Sequence, residues 1–137
     1  MEEKKYTDLS GAEPLTIARQ AALELLKKQG KAVKLFCVKD TTVIADYYLI
    51  AGGRSSTHVK ALADELSEKM AMHGVSTDRV EGRDGGAWVL VDLGCVIAHI
   101  FDRESRKYYN LERLLRAEDE LSIEDLEGLA DEGAENL

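Results

Sequence analysis

Apolar positions change period several times along the chain, and each change marks an element. Leu15, Ala18, Ala22, Leu25 and Leu26 recur at helical spacing after Pro14. Proline suits a first helical turn, because its missing N–H would have no partner there. Lys27 and Lys28 complement the negative end of that helix, and Gly30 is placed to end it. Val33 to Val38 then reads as a strand, Asp40-Thr41-Thr42 as a turn, and Tyr47-Tyr48-Leu49-Ile50-Ala51 as a second strand. The second strand is nearly continuous in hydrophobicity, as an inner strand should be.

Gly52-Gly53-Arg54-Ser55-Ser56 breaks that run and opens the strongest helix. Val59, Leu62, Ala63, Leu66 and Met70 share one face, Ser55 or Ser56 is the cap, and Gly74 is the stop. A short edge strand is expected near Asp78 to Glu81, followed by a turn at Gly82-Arg83-Asp84-Gly85-Gly86. Ala87 to Leu93 and Val96 to Phe101 are separated only by Gly94-Cys95, which requires an antiparallel hairpin. Asp102 to Arg116 reads as one or two short helices. The order implies an α/β domain, a mixed sheet of about five strands flanked by helices, over residues 1–116.

Charge adds a boundary. The net charge is −8, but residues 117–137 hold nine acids and no Lys or Arg, leaving 18 basic against 17 acidic residues in 1–116. The acidic segment 117–137 reads as a mostly disordered C-terminal tail, although Ile123, Leu126 and Leu129 could form a helical turn or two behind Ser122 and Asp125 at capping-box spacing. A near-neutral body argues against duplex nucleic acid as the main ligand, since phosphate binding draws on a basic face, while leaving room for local basic patches. No apolar run is long enough to cross a bilayer and no leader is evident at the N-terminus, so a cytoplasmic protein is expected. Cys37 and Cys95 sit in apolar strands and read as buried reduced thiols.

Candidate chemistry is sparse. The glycine turn at Gly52-Gly53-Arg54-Ser55 could meet a phosphate, but it matches neither a Walker loop nor a dinucleotide fingerprint, and turn geometry alone accounts for it. His58, His73 and His99 have no metal-ligand spacing, and Asp46, Asp64, Asp84 and Asp92 form no D-x-D pair. No catalytic residue, metal or cofactor is expected. Trp88 and the stretch Arg103 to Leu115, with Tyr108, Tyr109 and Leu111, have instead the composition of a protein-binding surface or of a seal over the domain's own sheet.

Two longer signatures carry a resemblance. Asp46-Tyr47-Tyr48-Leu49-Ile50-Ala51-Gly52-Gly53-Arg54-Ser55 with His58-Val59-Lys60-Ala61-Leu62-Ala63 is similar to the first signature of the Iojap family of ribosomal silencing factors. Glu81-Gly82, Trp88 to Gly94, Val96 to Phe101 and Arg106 to Leu114 resemble the second. The match covers roughly residues 14–116; the family more often has Asp where Cys95 and Asn110 stand, and Arg or Gln where Thr57 stands. The resemblance implies a nucleotidyltransferase-like fold without the transferase's metal-binding acids. It also implies binding to ribosomal protein uL14 on the large ribosomal subunit, which blocks the small subunit and represses translation when nutrients are scarce. A homodimer is compatible with it; specific nucleic-acid recognition is not expected. The residues it points to are Trp88, Leu90, His99, Asp102, Arg106, Tyr108, Tyr109 and Leu111. The alternative reading is a nucleotide-binding or nucleotidyltransferase-like enzyme, built on the glycine turn with Asp46 or Asp92.

Overall fold

The computed structural model describes residues 6–135. Helix α1 (Pro14–Lys27) starts at the proline and ends in a left-handed cap. The left-handed residue is Gln29 (φ 67°) rather than the expected Gly30. Gln29 N–H donates to the Leu26 carbonyl and Gly30 N–H to the Leu25 carbonyl, closing the last turn. Gly30 is required one position later, because a Cβ there would lie 2.9 Å from the Leu25 oxygen. The buried side of α1 is Ile17, Ala18, Ala21, Ala22 and Leu25, slightly rotated from expectation; Leu15 is exposed.

Strands β1 (Lys31–Cys37) and β2 (Tyr47–Gly53) pair antiparallel, and α2 (Ser56–Met72) follows. Ser55 is the cap, its hydroxyl accepting the His58 N–H at 3.1 Å. Gly53 lets the helix pack on the strand end, since a Cβ there would sit 2.7 Å from Val59 Cγ2. The short β3 (Arg79–Glu81) is exposed throughout, as an edge strand should be. The hairpin β4 (Trp88–Asp92) and β5 (Val96–Asp102) is antiparallel with Gly94 at φ 95° in its turn. Helix α3 (Arg103–Tyr109) and a 3-10 turn at Leu111–Leu114 close the segment, separated by left-handed Asn110.

The sheet has six strands in the order β3-β4-β5-β2-β1-β6, with β2 and β5 its parallel pair. The sixth, β6 (Glu120–Leu121), pairs with β1 and leads into α4 (Glu124–Glu135). Residues 117–131 therefore depart from the expected disordered tail. Ile123, Leu126 and Ala130 are buried, Leu129 is exposed, and Arg19 of α1 bonds Asp125. The acids occupy the solvent side of an amphipathic helix, so a run that looked polar by composition still presents an apolar stripe to α1.

Alternation divides the strands cleanly. Leu35, Leu49, Ala51, Val89, Val91, Val96, Ala98 and Ile100 face α1 and α2 and form the main core. Phe36, Val38, Ile50 and Phe101 face the other way, where the partly buried Tyr48, Trp88, Leu111 and Leu115 pack on them. One face of the sheet is sealed by long helices and the other is left partly open. Cys37 and Cys95 are free and half-buried rather than fully buried, and burial pushes the Cys95 thiol pKa up. Among the described residues, no helix is long and apolar enough to cross a membrane.

Candidate interaction face

The open face is built around β4 and β5. Antiparallel register sets Trp88 opposite Phe101 and Leu90 opposite His99, so all four side chains share the side away from the helices. Val89 and Val91, alternating with them, are fully buried in the core. The Trp88 indole stacks at a tilt on Phe101 and Tyr109, with ring centroids at 4.9 and 4.8 Å. Tyr108 meets Tyr109 edge-on at 5.0 Å, and Tyr48 meets His99 edge-on at 4.7 Å. Exposure rises outward along this chain of rings: Phe101 is buried, Trp88 half-buried, Tyr109 47% exposed and Tyr108 81% exposed. A groove lined by Glu81, Gly82, Ala87, Trp88, Leu90 and Tyr109 runs between the edge strand and these rings.

His99 is the polar centre of the face. It is 6% exposed, and its Nδ1 accepts the Trp88 indole N–H at 3.1 Å. Indole nitrogen can only donate, so the imidazole proton resides on Nε2. That N–H is buried and unpartnered among the described residues. Burial pushes the His99 pKa down to about 4; a second ring proton would also point at the indole N–H. His99 is therefore neutral near pH 7 and presents a fixed tautomer.

Asp102, Arg106 and Leu111 serve different ends from Trp88 and the tyrosines. Asp102 caps α3, its carboxylate accepting the Ser105 N–H at 2.8 Å. The Arg106 side chain is 15% exposed; it donates to the Lys31 and Ala32 carbonyls at 3.1 and 2.8 Å and pairs with Glu112 at 3.2 Å. Burial raises the Glu112 pKa, but the Arg106 hydrogen bonds and charge, aided by Lys34, outweigh it and hold the carboxyl below its ordinary value. Leu111 is half-buried against Phe101 and its neighbours. These three hold the segment in place, and Trp88, Leu90, Tyr108 and Tyr109 offer the accessible surface. The Glu112 tie across Arg106 and Lys34 was not a sequence expectation; spacing of six residues on a broken helix gave no signal for it.

The glycine turn lies elsewhere, beyond the ends of the parallel strands. Arg54 N–H is already used, donating to His58 Nδ1 at 2.9 Å, and His58 Nε2–H donates to the Lys28 carbonyl at 3.0 Å. His58 thus clamps the turn to the end of α1. His73 hydrogen-bonds the Thr7 carbonyl at 2.8 Å. Among the described residues, no three His, Cys, Asp or Glu side chains are grouped to hold a metal.

Residues 12–136 match the family model described as "Ribosomal silencing factor during starvation". The chain is 36% identical over 99 residues to the ribosomal silencing factor RsfS of Bacillus subtilis (strain 168), covering 72% of this chain and 84% of that one. A mouse protein named for mitochondrial assembly of the ribosomal large subunit is 32% identical over 72 residues, half of this chain and 32% of that one. Among solved structures, a Chromobacterium violaceum protein superposes with a TM-score of 0.73 at 33% identity, covering 75% of this chain and 86% of that one. A matched region that runs on through α4, together with the shared sheet, means that this chain belongs to the ribosomal silencing factor family.

Proposed function

We propose that this protein represses translation without catalysis, by docking its open sheet face on the large ribosomal subunit and occupying space the small subunit needs. The observation that carries the reading is the ladder of rings from buried Phe101 through Trp88 to exposed Tyr109 and Tyr108, bordered by Leu90. Aromatics held on a sheet and the helix that follows it lose little conformational entropy on binding, and a few such side chains carry most of the energy of a protein interface. Ribosomal protein uL14 is the partner, with Trp88, Leu90, Tyr108 and Tyr109 in contact. Asp102, Arg106 and Leu111 hold that surface in shape. His99 orients the Trp88 indole. The mouse relative's name, which speaks of large-subunit assembly, supports the choice of subunit.

The reaction scheme is a competition. Binding on one surface of the large subunit makes the second association sterically impossible, so the strength of repression follows from occupancy alone. The test combines capture of purified uL14 by the intact protein with light-scattering assays of subunit joining. Stoichiometric capture and slower joining are expected, with both effects lost in a Leu90→Asp, Tyr108→Ala variant that retains its unfolding midpoint. Joining at an unchanged rate under saturating protein would overturn the reading.

A further inference from the structure

The cations of this acidic chain are unevenly satisfied. Arg19, Arg79, Arg83 and Arg116 each pair with a carboxylate, and Arg106 pairs with Glu112. Lys27, Lys28, Lys31, Arg54, Arg103 and Lys107 are exposed and have no carboxylate within 4.0 Å among the described residues. All six line two grooves that meet at Arg54, one of about 440 Å³ between the glycine turn and α3, the other of about 330 Å³ at the end of α1. No Asp or Glu lines either groove. The negative end of α1 is muted there as well: the Lys28, Leu25 and Leu26 carbonyls are taken by His58, Gly30 and Gln29.

We infer that this end of the sheet is a binding site for the phosphodiester backbone of single-stranded or looped RNA. Six cations without a carboxylate partner, gathered on two grooves that hold no acid, give this end a local positive field in a chain of charge −8; the acids Glu24 and Glu65 border Lys27 and Lys28 on their other side. An extended polyanion fits better than a nucleotide. The cations are strung along two grooves rather than converging on one point, and no Trp, Tyr or Phe lines them to stack a base. The Arg54 backbone N–H, the donor best placed for a single bound phosphate, is held by His58. Contact is therefore through phosphates, insensitive to sequence and steeply sensitive to salt. The site is separate from the aromatic ladder and does not depend on what docks there.

Fluorescence anisotropy of labelled polyuridylate of about 20 nucleotides with the full chain, between about 50 and 200 mM KCl, tests this directly. Binding that weakens steeply with salt is expected. A Lys31→Ala, Lys107→Ala variant should bind at least about fivefold more weakly and lower the log–log salt slope by about 1.4, two contacts at about 0.7 each on a single strand. A Lys39→Ala, Arg113→Ala variant carries the same charge change elsewhere and should bind as the parent does. No binding at the lowest salt, or equal losses in both variants, overturns the inference. So does ATP binding at micromolar levels while polyuridylate fails to bind, which would assign the grooves to a nucleotide.

Discussion

The two faces of the sheet are made from the same strands by the same alternation, yet they are finished differently. Toward α1 and α2 the central strands present Leu35, Leu49, Ala51, Val89, Val91, Val96, Ala98 and Ile100, all fully buried, with Tyr47 and the half-buried Cys37 at the margin. Toward the other side the strands carry Phe36, Tyr48, Trp88, His99 and Phe101 beside Ile50, Leu90 and Ile97, and cover comes from α3 and the turn after it. The first face is closed by packing alone. The second combines apolar area with polar handles: an indole N–H, a neutral imidazole and phenol hydroxyls. Aliphatic surface gains only by leaving water, whereas rings with polar edges tolerate both water and a partner. The difference separates a face sealed by helices from one left partly open to solvent.

Substitutions that remove one face and not the other break this comparison most sharply. Leu62→Ala, on the helix packed over the closed face, should cost about 2–5 kcal/mol, read as a lowered denaturant midpoint with an unchanged slope. Leu90→Ala, half-buried on the open face, should cost about 1 kcal/mol or less by the same measurement. Equal losses at the two positions would mean the open face is a second core rather than a docking surface.

Acid sharpens the contrast, because the open face holds a buried base. His99 is shifted from an ordinary value near 6.5 down to about 4. The unfolded chain therefore binds the proton first as pH falls, and the stability held above pH 6.5 is lost progressively down to about pH 4. The full loss from this group is roughly 3 kcal/mol. Denaturant midpoints measured from pH 7 to pH 4 should fall less in His99→Gln, which keeps an acceptor for the indole but does not titrate. Parallel curves for the two proteins would show that His99 is not responsible.

How much of this was legible in sequence follows the same division. The closed face was readable because its signal is periodic: Val59, Leu62, Ala63, Leu66 and Met70 could only be one side of a helix. Alternation along β4 likewise puts Val89 and Val91 on the side opposite Trp88. Two residues of β6 are too few to show any period, and nine acids masked the Ile123, Leu126, Ala130 stripe of α4. Arg106 could not be read as a scaffold because its partners, carbonyls some 75 residues earlier in the chain, are defined only once the chain has folded, whereas the Asp102 cap is local and its interface role came from the resemblance. The cation segregation at the glycine turn was equally hidden, since pairing is a tertiary property.

Arg106 offers a smaller effect that separates scaffolding from contact. It joins the start of β1 to α3 through two carbonyls and Glu112. Arg106→Ala leaves those acceptors near a partly wet edge, so a loss of about 1–3 kcal/mol is expected. Arg106→Lys should recover only part of it, because one ammonium cannot reproduce the planar fork that spans three acceptors. Full recovery by lysine would indicate that charge, not geometry, holds α3.

Tyr108 should give the smallest stability change and is the most direct probe of the open face. Its ring is 81% exposed and touches Tyr109 edge-on, so Tyr108→Ala should shift stability by no more than about 0.5 kcal/mol. If the rings form the docking surface, the same variant should weaken capture of uL14 by about tenfold, since an interface aromatic commonly carries more than 1 kcal/mol. A fold left intact and an affinity reduced is the signature of a contact residue. The opposite pair of outcomes, lost stability with unchanged capture, would return Tyr108 to the role of a lid on Tyr109 and Trp88 and move the docking surface elsewhere on the molecule.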